Sequence, residues 1–228
     1  MEKDLQIIGI GASAGGLEAL EIFFNNCPVD TNLTFVVIQH LSPDYKSMMP
    51  ELLSRRTKMK VRLAESASIL QPNHVYLIPG NKNIVLNGAK LELQDRAPIN
   101  RLNLPIDLFF ESLARERKDK AIGIILSGTG SDGTKGAKAI KEAGGTIFVQ
   151  DPQLAKFDGM ALSIITNDLA DFSLPVQNIP QELLHFISFP DTIEQLEQND
   201  SQEKTIKNIL IVLKENLDRD FFSIGNKP

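Results

Sequence analysis

Four short runs in this chain are apolar at almost every position: LQIIGI (5–10), LTFVVIQ (33–39), AIGIILS (121–127) and GTIFVQD (145–151). A strand with one face in water alternates apolar and polar residues; a strand without that alternation needs cover on both faces. The cover is written between the runs. GLEALEIFFNNC repeats Leu17, Leu20 and Phe24 at spacings of three and four, PIDLFFESLARERK (105–118) opens with Pro105 in a first helical turn, and GTKGAKAIKEAG is helical in pattern. The expected fold is α/β: three-layer, doubly wound, a mostly parallel sheet with helices on both faces. Asn87-Gly88, flanked by alternating apolar residues in NIVLNGAKLEL, predicts a hairpin that adds an antiparallel edge. YKSMMPELLSRRT carries Pro50 inside a helical pattern and reads as a broken helix.

The doubly wound pattern ends near residue 187. Residues 188–204 are polar and acidic and read as a linker, and 205–228 resume amphipathic spacing through Ile206, Ile209, Leu213 and Leu217, a helical tail. At 228 residues with a formal charge of -5, the chain has no overall basic character for non-specific nucleic-acid binding. Its single cysteine, Cys27, excludes an intramolecular disulfide and any multi-cysteine metal site. There is no signal-peptide pattern and no apolar run near the ~20 residues that cross a bilayer, so membrane insertion is not expected and the expected compartment is the cytoplasm.

GIGASAGG (9–16) puts Ser13 where the first strand meets the first helix. Three readings fit the stretch. Gly9, Gly11 and Ala14 satisfy a loose dinucleotide fingerprint, but the second strand ends in Gln39-His40 where a ribose-binding acid is expected. Gly11-Ala12-Ser13-Ala14-Gly15 also has the form of a nucleophile elbow, and a serine here can simply cap the helix. A serine nucleophile needs a base, and the base needs an orienting group. His40 ends the second strand, on the sheet edge where Ser13 lies if the first two strands are neighbours. His74 begins its strand and falls at the opposite end; His185 lies in a late helical pattern with a surface reading. Asp132 follows the 121–127 strand through a Gly-rich turn, where it either orients His40 or caps the next helix.

GIGASAGG, VIQHLSP and LSGTGSDGTKGAKAIKEAGG, followed by QDPQLAKFDGMALSII and with VYLIPG between, resemble the signatures of the chemotaxis protein-glutamate methylesterase family, the CheB catalytic domain, over about residues 5–187. The resemblance implies Ser13 as nucleophile, His40 as general base and then acid, and Asp132 as the residue orienting His40. It implies hydrolysis of glutamyl methyl esters on chemoreceptors, with glutamine deamidation in some members, and no metal or organic cofactor. Oxyanion-hole donors fall at Ala14 and in the GTGSD loop at Thr129. Thr129 stands where the family usually has methionine, Ala14 where threonine is frequent, Ala161 where proline follows the methionine, and Asn83 where histidine is usual. Regulated members carry a receiver domain before this one, and here the pattern begins at residue 5. ILIVLKENLDRDFFSIGNKP resembles the opening of a receptor methyltransferase (CheR) domain, which points to a fused methylesterase–methyltransferase arrangement. Two rivals stay open: a non-catalytic partner-binding module on the same fold, and a dinucleotide-binding protein.

Overall fold

The structure, a computed structural model, describes residues 5–40, 48–96 and 103–189. Contacts divide the chain into two units, Met1–Glu182 and Leu183–Pro228. The expected linker (188–204) and tail (205–228) lie almost wholly outside the described residues.

The apolar runs are the strands β1 (Gln6–Ala12), β2 (Leu33–Gln39), β8 (Ile122–Ile125) and β9 (Thr146–Gln150). With β3 (Lys60–Leu63), β5 (His74–Leu77) and β10 (Phe172–Leu174) they form a seven-stranded sheet in the order β10-β9-β8-β1-β2-β5-β3, parallel at every pairing. From β1 the chain winds one way through β2 and β5, and from β8 it winds the other way through β9 and β10. The reversal between β1 and β8 opens a crevice at the carboxyl ends of those two strands, the usual place for a site in such sheets.

One face of β1 and β2 is covered by α1 (Gly16–Asn25), where Phe23, Phe24 and Phe35 meet edge to face with centroids 5.1–5.7 Å apart. The other face takes α3 (Pro105–Arg117), whose Ile106, Phe109, Phe110 and Leu113 are fully buried. Gly9 and Gly11 belong to this second face. A Cβ on Gly9 would stand 2.9 Å from Phe110 Cε1, and one on Gly11 would stand 2.6 Å from Ile106 Cγ2. These glycines let an aromatic helix lie flat on the central strand, which accounts for them without a nucleotide. Alongside α3 runs α4 (Thr134–Glu142), which connects β8 to β9.

The predicted hairpin is present as β6 (Lys82–Asn87) and β7 (Lys90–Asp95), with Gly88 in the turn at φ +57°. It does not extend the parallel sheet, whose edge on that side is β3. With β4 (Ser68–Ile69) it forms a separate three-stranded antiparallel sheet. The cause is its apolar face: Ile84, Leu86 and Leu91 are buried in the same core cluster as Phe109 and Leu113, and Leu86 N–H donates to Ser112 Oγ of α3 at 2.9 Å. Of the Pro50 pattern, residues 41–47 lie outside the described residues; α2 (Met49–Ser54) is a helix with Pro50 in its first turn. Helices α5 (Gly159–Thr166) and α6 (Ile179–Ser188) complete the elements, and among the described residues none is long and apolar enough to cross a membrane.

Candidate active site

Ala12 and Gln39 are register partners, the last residues of β1 and β2. The next residue on each strand is therefore delivered to the same edge, side by side, and those residues are Ser13 and His40. Ser13 Oγ lies 3.0 Å from His40 Nδ1, and His40 Nε2 lies 2.6 Å from Asp132 Oδ2. A carboxylate only accepts, so Nε2 carries the imidazole proton and Nδ1 is left to accept from the seryl hydroxyl. The three side chains, two from just past the ends of β1 and β2 and one from the loop between β8 and α4, form one hydrogen-bonded chain. The His40 side chain keeps 34% of its surface, whereas that of Asp132, on its far side from Ser13, keeps 3%.

The elbow around Ser13 is tightly held. Gly15 takes φ +71°, and a Cβ there would meet Ser127 Oγ at 2.7 Å, so glycine is required on both conformational and steric grounds. No side chain caps α1; the Ser13 hydroxyl goes to His40 instead, which removes the capping reading for that residue. Buried Ser127 grips the elbow from below. Its carbonyl accepts Ser13 N–H at 3.0 Å, its hydroxyl donates to Ala14 O at 2.9 Å, and its own N–H is taken by Gln150 Oε1 at 2.9 Å. With the Ser13 N–H engaged in this way, Ala14 N–H has no acceptor among the described residues, and neither has Thr129 N–H. The loop carrying Thr129 is close at hand, since a Cβ on Gly128 would fall 3.0 Å from Ser13 Cβ.

Asp132 does cap a helix, but a different one from the helix that follows it. Oδ1 accepts Asp107 N–H at 3.0 Å and Oδ2 accepts Ile106 N–H at 3.1 Å, both from the first turn of α3. The first turn of α4 is served in return by Asp107, whose Oδ1 accepts Gly133 N–H at 3.0 Å and Gly136 N–H at 2.8 Å. Asp107 is buried, and burial raises its carboxyl above the ordinary range, with the neighbouring Asp132 charge adding to the rise; the bonds from Gly136 and Gly133 oppose it.

Sequence reasoning missed Asp107, Ser127 and Gln150. Asp107 carried one local signal, an acid in the first turn of a Pro-initiated helix, which an ordinary exposed helix start shows equally well. His74 lies at the amino end of β5, paired in register with Thr34, far from the edge that holds Ser13. His185 is exposed in the second unit, its ring against Phe189. Among the described residues no group of three or more His, Cys, Asp or Glu is placed to hold a metal ion.

Comparison with known proteins identifies the family and the fold. Residues 8–183 match the family described as CheB methylesterase. The protein-glutamate methylesterase/protein-glutamine glutaminase of Thermotoga maritima is 32% identical over 186 residues, covering 80% of this chain and 54% of that protein. Its counterpart in Trichodesmium erythraeum is 30% identical, covering 80% and 53%. The chain spans about half the length of these curated relatives. Among solved structures, the catalytic domain of the Thermotoga maritima CheB methylesterase superposes with a TM-score of 0.73 at 32% identity, covering 79% of this chain and 98% of that one. On matched length, identity and shared architecture, the chain belongs to the CheB methylesterase family.

Proposed function

We propose that the chain is a serine esterase that hydrolyses glutamate γ-methyl esters on a chemoreceptor to glutamate and methanol. One observation carries the reading: the unbroken hydrogen-bond chain from Ser13 Oγ through the His40 ring to Asp132. Ser13 Oγ attacks the ester carbonyl as its proton passes to His40 Nδ1, and the resulting imidazolium is held by Asp132 through Nε2–H. The oxyanion that forms is met by the Ala14 and Thr129 N–H groups, each such donor being worth about 3 kcal/mol in reactions of this type. The carbon–methoxide bond then breaks and methanol departs with the proton from His40. Water attacks the glutamyl-enzyme, gives a proton to the same nitrogen, and releases the glutamate as Ser13 regains its hydrogen. Every proton moves through Nδ1.

A γ-amide presents the same carbonyl with ammonia as the leaving group, which supports glutamine deamidation as a second reaction of this site. The names of the relatives join the two activities in the same way. A non-catalytic module would have no use for a seryl oxygen, a ring nitrogen and a buried carboxylate in line. The Gly9 and Gly11 packing on α3 removes the sequence ground for a dinucleotide site. The substrate implies a cytoplasmic protein that meets the cytoplasmic helices of a methylated receptor, and the CheR-like residues near the C-terminus support a fused or associated methyltransferase. The test is methanol release from purified, methylated receptor: the chain releases methanol and Ser13→Ala does not. Release by both proteins at equal rates contradicts the assignment.

A further inference from the structure

Asp132 is held at two levels. Its carboxylate takes N–H groups from Ile106 and Asp107, while the residue after it, Gly133, is bound at its own N–H by the Asp107 side chain. Asp107 thus grips the Asp132 loop from both sides, through its backbone N–H and through Oδ1. The clasp is also sterically closed, since Gly133 sits at φ +98° and a Cβ there would meet Ile125 at 2.7 Å and Ile106 at 2.9 Å. Within this clasp Oδ2 of Asp132 accepts from Ile106 N–H and from His40 Nε2 together, so turning the carboxylate would disturb both bonds. One oxygen of Asp107, Oδ1, serves both Gly133 N–H and Gly136 N–H, so displacing it frees the loop after Asp132 and the first turn of α4 together.

We propose that Asp107 is a positioning residue for the ester-hydrolysis reaction: by binding the Gly133 and Gly136 N–H groups it fixes the Asp132 carboxylate, and through it the orientation of His40 toward Ser13. The inference rests on the triad reading above. Asp107 touches neither substrate nor reacting atoms. Its contribution is the place of an acceptor oxygen, so the conservative replacement that keeps an oxygen there restores function and one that displaces it does not.

The test compares Asp107→Ala, Asp107→Glu and Asp107→Asn with Ser112→Ala, on hydrolysis of a p-nitrophenyl ester and on the proton resonance of His40 Nε2–H, assigned by its absence from His40→Ala. Ser112 is the structural control: it is buried on the same helix and its hydroxyl bonds Leu86 N–H and Phe109 O, away from the site. Expected are kcat losses of roughly 10–100-fold in Asp107→Ala and Asp107→Glu, the size typical of residues that orient a working side chain. KM should stay within about twofold, the Nε2–H resonance should be shifted or lost, and Asp107→Asn should recover kcat to within about threefold. Should Asp107→Ala fail to fold, Asp107→Glu keeps the charge and decides alone. An unchanged kcat with an unchanged resonance overturns the proposal. So does a loss that Ser112→Ala reproduces at matched stability, which makes Asp107 merely structural. A wild-type chain that neither hydrolyses the ester nor reacts with a fluorophosphonate at Ser13 overturns the triad reading itself.

Discussion

Ser13 and His40 are the first residues past register partners Ala12 and Gln39, and their side chains meet at 3.0 Å because the parallel ladder of β1 and β2 ends at the same height on both strands. His40 N–H still donates to Ala12 O at 3.3 Å, so His40 is held to the sheet one residue beyond the last paired strand position. Ser13 and His40 are therefore placed by strand register.

A nucleophile–base pair is expected to act as one unit. Ser13→Ala and His40→Ala should each lower ester hydrolysis by roughly 10⁴–10⁶-fold, and the double variant should be little worse than either. Asp132→Asn should cost less, since nucleophile and base remain. Steady-state kinetics on the four proteins checks this; losses that multiply in the double variant would mean the two residues act independently.

Asp107 supplies a pH prediction whose sign follows from its raised carboxyl. Between about pH 3.9, where an unfolded aspartate titrates, and its higher folded value, the native state holds more of this proton than the unfolded state. The contribution of Asp107 is thus fully present below the unfolded value and is lost as pH rises through the folded one. In urea denaturation at stepped pH, the stability of wild type relative to Asp107→Asn should decline through that window and level off above it. A difference that grows with pH would contradict the direction.

Gly11→Ala should destabilise the fold by about 1–3 kcal/mol, the usual cost of an added methyl in a closed core. The new Cβ would stand 2.6 Å from Ile106 Cγ2 and 2.9 Å from Ile125 Cδ1. Ile106 N–H also binds Asp132, so catalytic loss should accompany the loss in melting temperature. A variant as stable as wild type would show that α3 retreats freely.

Cys27 is buried, and burial pushes its thiol up to about 12. The thiolate that reacts with disulfide reagents is then scarce at pH 8. Labelling of the folded chain by a disulfide reagent should be slower than in denaturant by orders of magnitude, and Cys27→Ala should retain esterase activity. Rapid labelling under native conditions would place the thiol at the surface.

Much of the fold is legible in the sequence because its signals are local. Continuous apolar runs demand two-sided cover, helical spacing between them supplies it, and strand ends share an edge, which puts Ser13, His40 and Asp132 within reach of one another. What escapes is tertiary. The exchange in which Asp132 caps α3 while Asp107 caps α4 joins residues 25 to 29 positions apart, and either acid alone looks like an ordinary helix start. Gly9 and Gly11 look like phosphate-binding glycines until Phe109, Phe110 and Ile106 are seen on them. The hairpin was readable from Asn87-Gly88, but its sheet was not, because that depends on which surface its apolar face covers.

The central claim is that the Ser13 hydroxyl is a nucleophile activated by His40. The most direct measurement is peptide mapping of the chain by mass spectrometry after reaction with a fluorophosphonate, run beside His40→Ala. Expected is a single phosphonyl adduct on Ser13 in the wild-type chain, with its rate of formation reduced at least about 10³-fold in His40→Ala, since an unassisted serine is a weak nucleophile. Adduct formation on another residue, or equal labelling of Ser13 with His40 removed, would contradict it.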